Sequence, residues 1–319
     1  MPLVDFAHRR PETVSGHGHA KVILCGEHWV LDGAEALAIG LPQLGAAATM
    51  QRAGTPSLQL DPALADHAAA DAAQMVALAL RQADVDAAVA VTLGADVPVR
   101  RGLGSSAAVA VALVRAAAAL GGQALTTTEL RARARALEAL VHGRSSGLDP
   151  AAATCDRGGV LFRDGAVVRD VGPVHAELAA ARWLLVDLGA GEPTRTAVSH
   201  ALGRREAMAP ATRRRWLDEV SATSHAAAAA LEGGRLHDLA AALTRAGAAL
   251  EPLDVATAAM RWSVQALCSA GALAAKPTGA GLGGVVLALC GDDATAGRAA
   301  AATAPVAVAH WILPVYAPA

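Results

Sequence analysis

The stretch RRGLGSSAAVAVALVRA, residues 100–116, constrains this chain more than any other, because a glycine turn there feeds into an apolar helix. Such a turn is a seat for a phosphorylated ligand. The first backbone N–H groups of a helix are unpaired and point outward, and the helix dipole adds attraction for an anion. Gly102, Gly104 and Ala107 also fit G-x-G-x-x-A, a variant of the dinucleotide fingerprint. A dinucleotide site needs a second strand ending in an acid about 20 residues further on. Here the helix is followed by another helix pattern. A second match, GAGLGG at 279–284 through Gly279, Gly281 and Gly284, precedes a strand pattern instead of opening a helix. No G-x-x-x-x-G-K-[ST] loop occurs. The reading that fits is a cradle for a nucleoside triphosphate. Ser105 and Ser106 add hydroxyls, one of which can ligate Mg²⁺, while N-capping is the plainer use of the other.

Phosphoryl transfer also needs a metal ligand and a base. EALVHGRSSGLD, residues 138–149, offers Glu138 near the end of a helix and Asp149 beyond a glycine turn. One carboxylate would bind Mg²⁺ and the other would accept the acceptor's hydroxyl proton; two solvated acids are the plainer alternative. A zinc reading of Glu138 with His142, or of His17 with His19 in GHGHA, falls short of a ligand set. Lysine points the same way as the glycine turn. Of 27 basic residues only Lys21 and Lys276 are lysine, Asn is absent, and the bias toward Ala and Arg is that of a GC-rich genome. Each lysine lies beside a glycine-rich segment. An ammonium is a compact point charge that arginine does not replace beside a phosphate or a reacting hydroxyl. The alternative is two leftover surface lysines.

The remaining composition bounds the setting. A chain of 319 residues makes one large or two ordinary domains. With 54% apolar and only 3% aromatic residues, its core is Ala, Leu and Val. Apolar runs are interrupted by Arg115 or by glycines, so no membrane span is expected. Residues 1–12 lack an apolar signal region, which points to a cytoplasmic enzyme. A net charge of −2 gives no footprint for nucleic acid. Cys25, Cys155, Cys268 and Cys290 form no C-x-x-C pair and read as small buried hydrophobes.

Periodicity places strands at 19–25, 35–41, 46–52, 57–61 and 86–94. A helix is expected over 71–85, another from Gly104 to about Leu120, and a third over 126–143 with a threonine cap and Gly143 as its stop. GGVLFRDGAVVRDV reads as a hairpin around Asp164–Gly165. A strand opens at 182, Ala-rich helices fill about 194–271, and a strand, helix and strand close the chain. A domain boundary is expected near 175–182.

These motifs, in this order, resemble the GHMP kinases. AKVILCGEHWVLDG (20–33) is similar to the family's first motif, PVRRGLGSSAA (98–108) to its phosphate loop, and KPTGAGLGG (276–284) to its third. The segment 138–149 and EPTRTAV (192–198) are most similar to the metal-and-base and substrate-side segments of members that phosphorylate mevalonate. The resemblance implies an α/β (α+β) two-domain fold, with an N-terminal ribosomal-protein-S5-domain-2-like domain over 1–178 and a C-terminal ferredoxin-like domain over 179–319. It implies ATP as co-substrate with Mg²⁺, mevalonate as acceptor, and a homodimer. Ser106 and Glu138 would bind Mg²⁺, Asp149 would be the base, and Lys21 would favour the ionised forms of the base and the reacting oxygen. Gly102, Leu103, Gly104, Ser105, Ser106 and Ala107 would line the triphosphate. Glu27, His28, Arg195, Thr278 and Gly279 would serve the acceptor, with Lys276 as loop support.

Two departures stand out: His19–Ala20 in place of Pro-Gly, and Leu282 in place of a glycine. Trp29-Val30-Leu31 suits a small branched acid with a methyl group better than a sugar. Arg195 suits its carboxylate. A phosphomevalonate acceptor would need further cations, and a non-catalytic regulator would have lost the base or the metal acid.

Overall fold

The computed structural model describes residues 13–99, 101–142 and 146–316. By packing, these divide into two compact units. One comprises the described residues of 1–20, 44–99 and 105–154; the other comprises those of 21–43, 100–104 and 155–319. Two long strands, β1 (Thr13–Cys25) and β2 (Ala36–Arg52), pair with each other and contribute residues to both units.

In the first unit, β3 (Ser57–Leu60) runs parallel to β4 (Val89–Ala95), which pairs antiparallel with the second half of β2 from Ala46↔Ala95 to Arg52↔Val89. Helices α1 (Pro62–Gln82), α2 (Ser105–Gly121), α3 (Thr127–His142) and α4 (Leu148–Ala153) complete it. α2 is apolar on nearly every side and is packed by α1, α3 and α4. A helix with no polar face is stable only when so enclosed. α3 opens with a capping box. Glu129 Oε2 accepts from the Thr126 backbone N–H at 2.8 Å, and Thr126 Oγ1 accepts from the Glu129 N–H at 3.3 Å.

In the second unit, the first half of β2 pairs with β5 (Gly159–Arg163), and β5 pairs with β6 (Ala166–Val171) as the expected hairpin. A second, four-stranded antiparallel sheet has the order β10-β7-β9-β8. Its strands are β7 (Arg182–Asp187), β8 (Ala274–Pro277), β9 (Val285–Cys290) and β10 (Ala309–Pro314). With α8 (Ala258–Ser269) and α9 (Asp293–Thr303) packed on it, the sheet forms a β-α-β-β-α-β ferredoxin-like layer. Leu184, Val186, Met260, Leu267 and Val286 fill the space beneath these helices. Between β7 and α8 the chain inserts α5 (Thr194–Glu206), α6 (Pro210–Glu232) and α7 (Leu236–Ala248).

The strands expected at 35–41 and 46–52 are one continuous β2. Pro42 falls between the stretch paired with β5 and the stretch paired with β4, where its missing N–H costs no bond of either ladder. α1 begins at Pro62, nine residues before the expected start. α4 and β8, of six and four residues, are too short for a periodic signal. Gly143, the expected stop of α3, lies outside the described residues. Cys25 and Cys290 are buried as expected, and burial pushes their thiols up to about 12 and about 11; Cys268 is exposed at the end of α8 instead. Among the described residues no helix is long and apolar enough to cross a membrane.

Candidate active site

Lys21 lies on β1 and is 2% exposed. Its backbone N–H donates to Leu103 O at 2.9 Å, and its Nζ donates to Gly102 O at 3.2 Å. The lysine is thus stitched to the glycine loop at two points. Gly104 has φ 75°, and a Cβ there would stand 2.7 Å from Lys21 Cγ, so the loop closes over the lysine stem only because residue 104 is glycine. Gly102 also touches the third-motif turn: a Cβ on Gly279 would lie 3.3 Å from Gly102 Cα. Arg101 Nε sits 3.1 Å from Asp187 Oδ2 at the end of β7, and Asp187 Oδ1 accepts from Gly189 N–H at 2.8 Å. Asp187 is 3% exposed and ties the loop to the end of β7.

The other lysine does more than support a loop. Lys276, on β8, is 1% exposed; its Nζ forms an ion pair with Glu27 Oε1 and donates to Ile23 O at 3.3 Å. Thr278 Oγ1 donates to the same carbonyl at 2.9 Å. A buried ion pair survives only when each charge has its partner. Neither lysine is a leftover surface residue. The Oε2 atom of Glu27 is buried without a hydrogen-bond partner among the described residues.

His28 follows at φ 63°, a left-handed backbone that is uncommon outside glycine. Arg205 holds it by donating from Nη1 to His28 O at 2.7 Å; Arg205, 1% exposed, also pairs with Asp32 at 2.9 Å. The ring Nε2 lies 2.9 Å from Ala280 O. A carbonyl only accepts, so this contact fixes the neutral tautomer with its proton on Nε2 and leaves Nδ1 a bare acceptor. Nδ1 is also buried without a partner among the described residues. Burial holds the imidazole pKa down from 6.5 to about 4, which keeps the ring neutral.

Trp29-Val30-Leu31 does not form the apolar acceptor wall that the sequence suggests. The three residues lie in a 3-10 turn, Trp29–Asp32, which sends successive side chains about a third of a revolution apart. Trp29 is fully buried among Ala201, Val220, Ala249, Leu250 and Leu253, with Nε1 donating to Ala249 O at 2.9 Å, whereas Leu31 is half exposed. Arg195 stands exposed in the first turn of α5.

In the first unit, Ser105 and Ser106 occupy the first turn of α2, directly after the glycine loop in the chain, and Ala107 is buried behind them. Glu138 lies in the last turns of α3 and is 5% exposed. Asp149 lies in the first turn of α4, entered through Gly147 at φ 94°. The other described α4 side chains are buried, and Asp149 is the partly exposed one. Among the described residues no group of three or more His, Cys, Asp or Glu comes together, and His17 and His19 lie along β1.

Two family models match this chain: the GHMP kinase N-terminal domain over residues 69–157 and the GHMP kinase C-terminal domain over 227–304, together just over half of its length. The chain is a GHMP kinase. It is similar to a mevalonate kinase of Aeropyrum pernix, with 33% identity over 194 residues; that stretch covers 60% of this chain and 58% of the relative. It is similar in structure to L. major mevalonate kinase in complex with R-mevalonate, with a TM-score of 0.82, 26% identity, and coverage of 96% of this chain and 98% of the other. It is also similar to mevalonate kinase from methicillin-resistant Staphylococcus aureus, with a TM-score of 0.73, 26% identity, and coverage of 96% and 100%.

The third motif of this GHMP kinase shows how its Leu282 is accommodated. Leu282 adopts φ 55°, the backbone that a glycine would take there. Its N–H donates to Val255 O at 2.6 Å and its carbonyl accepts from Glu192 N–H at 3.1 Å. The turn is determined from both sides, and the side chain tolerates a conformation that costs an L-residue roughly 1–2 kcal/mol. The second bond also ties the segment 192–198 to this turn. Arg101, Asp187, Arg205 and Asp32 escaped the sequence reading, since nothing local marks an arginine or an aspartate as buried.

Proposed function

We propose that this GHMP kinase transfers the γ-phosphoryl group of ATP to the 5-hydroxyl of (R)-mevalonate, giving 5-phosphomevalonate for isoprenoid synthesis. The observation that carries the acceptor is a pair of buried atoms on consecutive residues, Glu27 Oε2 and His28 Nδ1, that lack donors among the described residues. A buried acceptor left unpaired costs roughly 1–3 kcal/mol, and a ligand with hydroxyl donors removes that cost. Mevalonate offers two hydroxyls, and its carboxylate suits the exposed Arg195 through paired charge-assisted bonds. The similarity to mevalonate kinases supports the same acceptor.

In this reading Gly102, Leu103, Gly104, Ser105, Ser106 and Ala107 receive the triphosphate. Glu138 and Ser106 suit Mg²⁺, a hard cation that takes one or two protein oxygens and completes its shell with water and phosphate. Mg²⁺ held there would supply positive charge to the transferred group. Asp149 takes the proton of the 5-hydroxyl. Lys21, already fixed to the glycine loop, supplies a point charge to the reacting oxygen. Glu27 and His28 orient the acceptor, with Thr278 and Gly279 shaping the third-motif turn beside the loop. The domains are read as 1–178 and 179–319, one matched model falling in each. A homodimer in the cytoplasm belongs to the same reading, and sedimentation of the purified enzyme tests the dimer. The deciding experiment is coupled ADP release with mevalonate, galactose and homoserine, with the phosphorylated product identified. Turnover of galactose and none of mevalonate would overturn the acceptor and leave the family standing.

A further inference from the structure

A cavity of about 490 Å³ opens between α6 and α7, with the end of β1 as its floor. Its volume lies within the range of small-molecule sites. Cys25 and Gly26 of its lining belong to the first motif, and none of the lining residues belongs to the glycine loop, the third motif or α4. Cys25, Val220, Ala246 and Ala249 make a buried apolar floor, with Ala226 on one wall. Two charged side chains stand at the exposed mouth, Glu219 and Arg245. Glu219 is answered along α6 by Arg215 at 3.4 Å. No carboxylate among the described residues is paired with Arg245, so the cavity joins apolar walls to one uncompensated cation.

We infer that this cavity binds a small amphipathic anion, with its hydrocarbon body against the alanine-rich walls and its carboxylate or phosphate head on Arg245. A neutral molecule of the same shape leaves the guanidinium without a partner. A ligand without an apolar body meets walls with little to offer it. The site depends on neither the acceptor nor the reaction assigned above, and its test reads binding alone.

Isothermal titration of the purified enzyme with octanoate, octyl phosphate and 1-octanol tests this. At least one anion is expected to bind saturably and about tenfold or more tightly than the alcohol, the scale of one charge-assisted hydrogen bond. The two anions tell a carboxylate site from a phosphate site. Arg245→Gln should reduce the anion to the level of the alcohol. Ala226→Leu should fill the wall and abolish binding, as should Ala222→Leu at the exposed rim, both with an unchanged melting temperature. Saturating ADP should not compete. The inference is overturned if neither anion binds, if anion and alcohol bind alike, if both filled variants bind as wild type, or if ADP displaces the anion.

Discussion

Replacing Lys276 by methionine should destabilise this enzyme far more than its place at the head of a glycine-rich motif suggests. The ammonium is buried, and so is the Glu27 carboxylate that it holds, with side-chain exposures of 0% and 1%. Methionine fills a similar volume but leaves the carboxylate without a counter-charge. It also leaves Ile23 O with Thr278 as its remaining side-chain donor. Removing one partner of a buried pair costs about 3–5 kcal/mol. That is a large share of the roughly 5–15 kcal/mol that holds a folded protein together. At about 2–4 °C per kcal/mol for a large domain, a melting shift of about 10 °C is expected. Glu27→Gln in the same background removes the stranded charge, so the double variant should recover most of the loss in urea and thermal unfolding. A single Lys276→Met within about 1 kcal/mol of wild type, or a double variant no better than the single, would refute the argument that the pair is interdependent.

Asp149→Asn should lower kcat by about 10²-fold or more while ATP binding, read by titration, stays near wild type; near-normal turnover of the folded variant removes Asp149 from the role of base. His28 makes stability fall with acid: its folded pKa, about 4, lies below its ordinary 6.5, so the unfolded chain binds the extra proton between these values. The contribution, at most about 3 kcal/mol, is complete above pH 6.5 and is lost as pH falls toward 4. A His28→Gln variant should show a shallower acid slope in chemical unfolding, and an equal slope would disprove it. At Leu282, glycine should be tolerated within about 1 kcal/mol, whereas valine, β-branched at positive φ, should cost more than that; the reverse order in thermal unfolding would contradict the strain assigned to this turn.

The sequence makes legible what is encoded locally. The glycine turn at 102–104 and the helix from Ser105 lie within a few residues of each other, so their pattern is readable directly. Lys21 stood out because lysine is almost absent from the chain, and the structure buries both lysines. What stayed hidden are partnerships set by the fold. Glu27 meets Lys276 across 249 positions, and Arg205 reaches His28 O across 177. No spacing rule links such residues. Trp29 shows the opposite error, in which three consecutive apolar residues suggest one wall while a 3-10 turn sends them to different surroundings.

The hidden partnerships explain why two acceptors are left without donors among the described residues. Lys276 takes one oxygen of Glu27 and Ala280 takes the single proton of His28, so the atoms that remain, Oε2 and Nδ1, can only accept. Arg205 holds the backbone that carries the ring, and the Nε2 contact to Ala280 O holds the ring itself. In the proposed reading, the specificity of this turn is a demand for donors that is built by residues that need touch no ligand. Substituting Arg205 should raise the KM for the acceptor more than the KM for ATP, because it loosens the demand without altering the glycine loop.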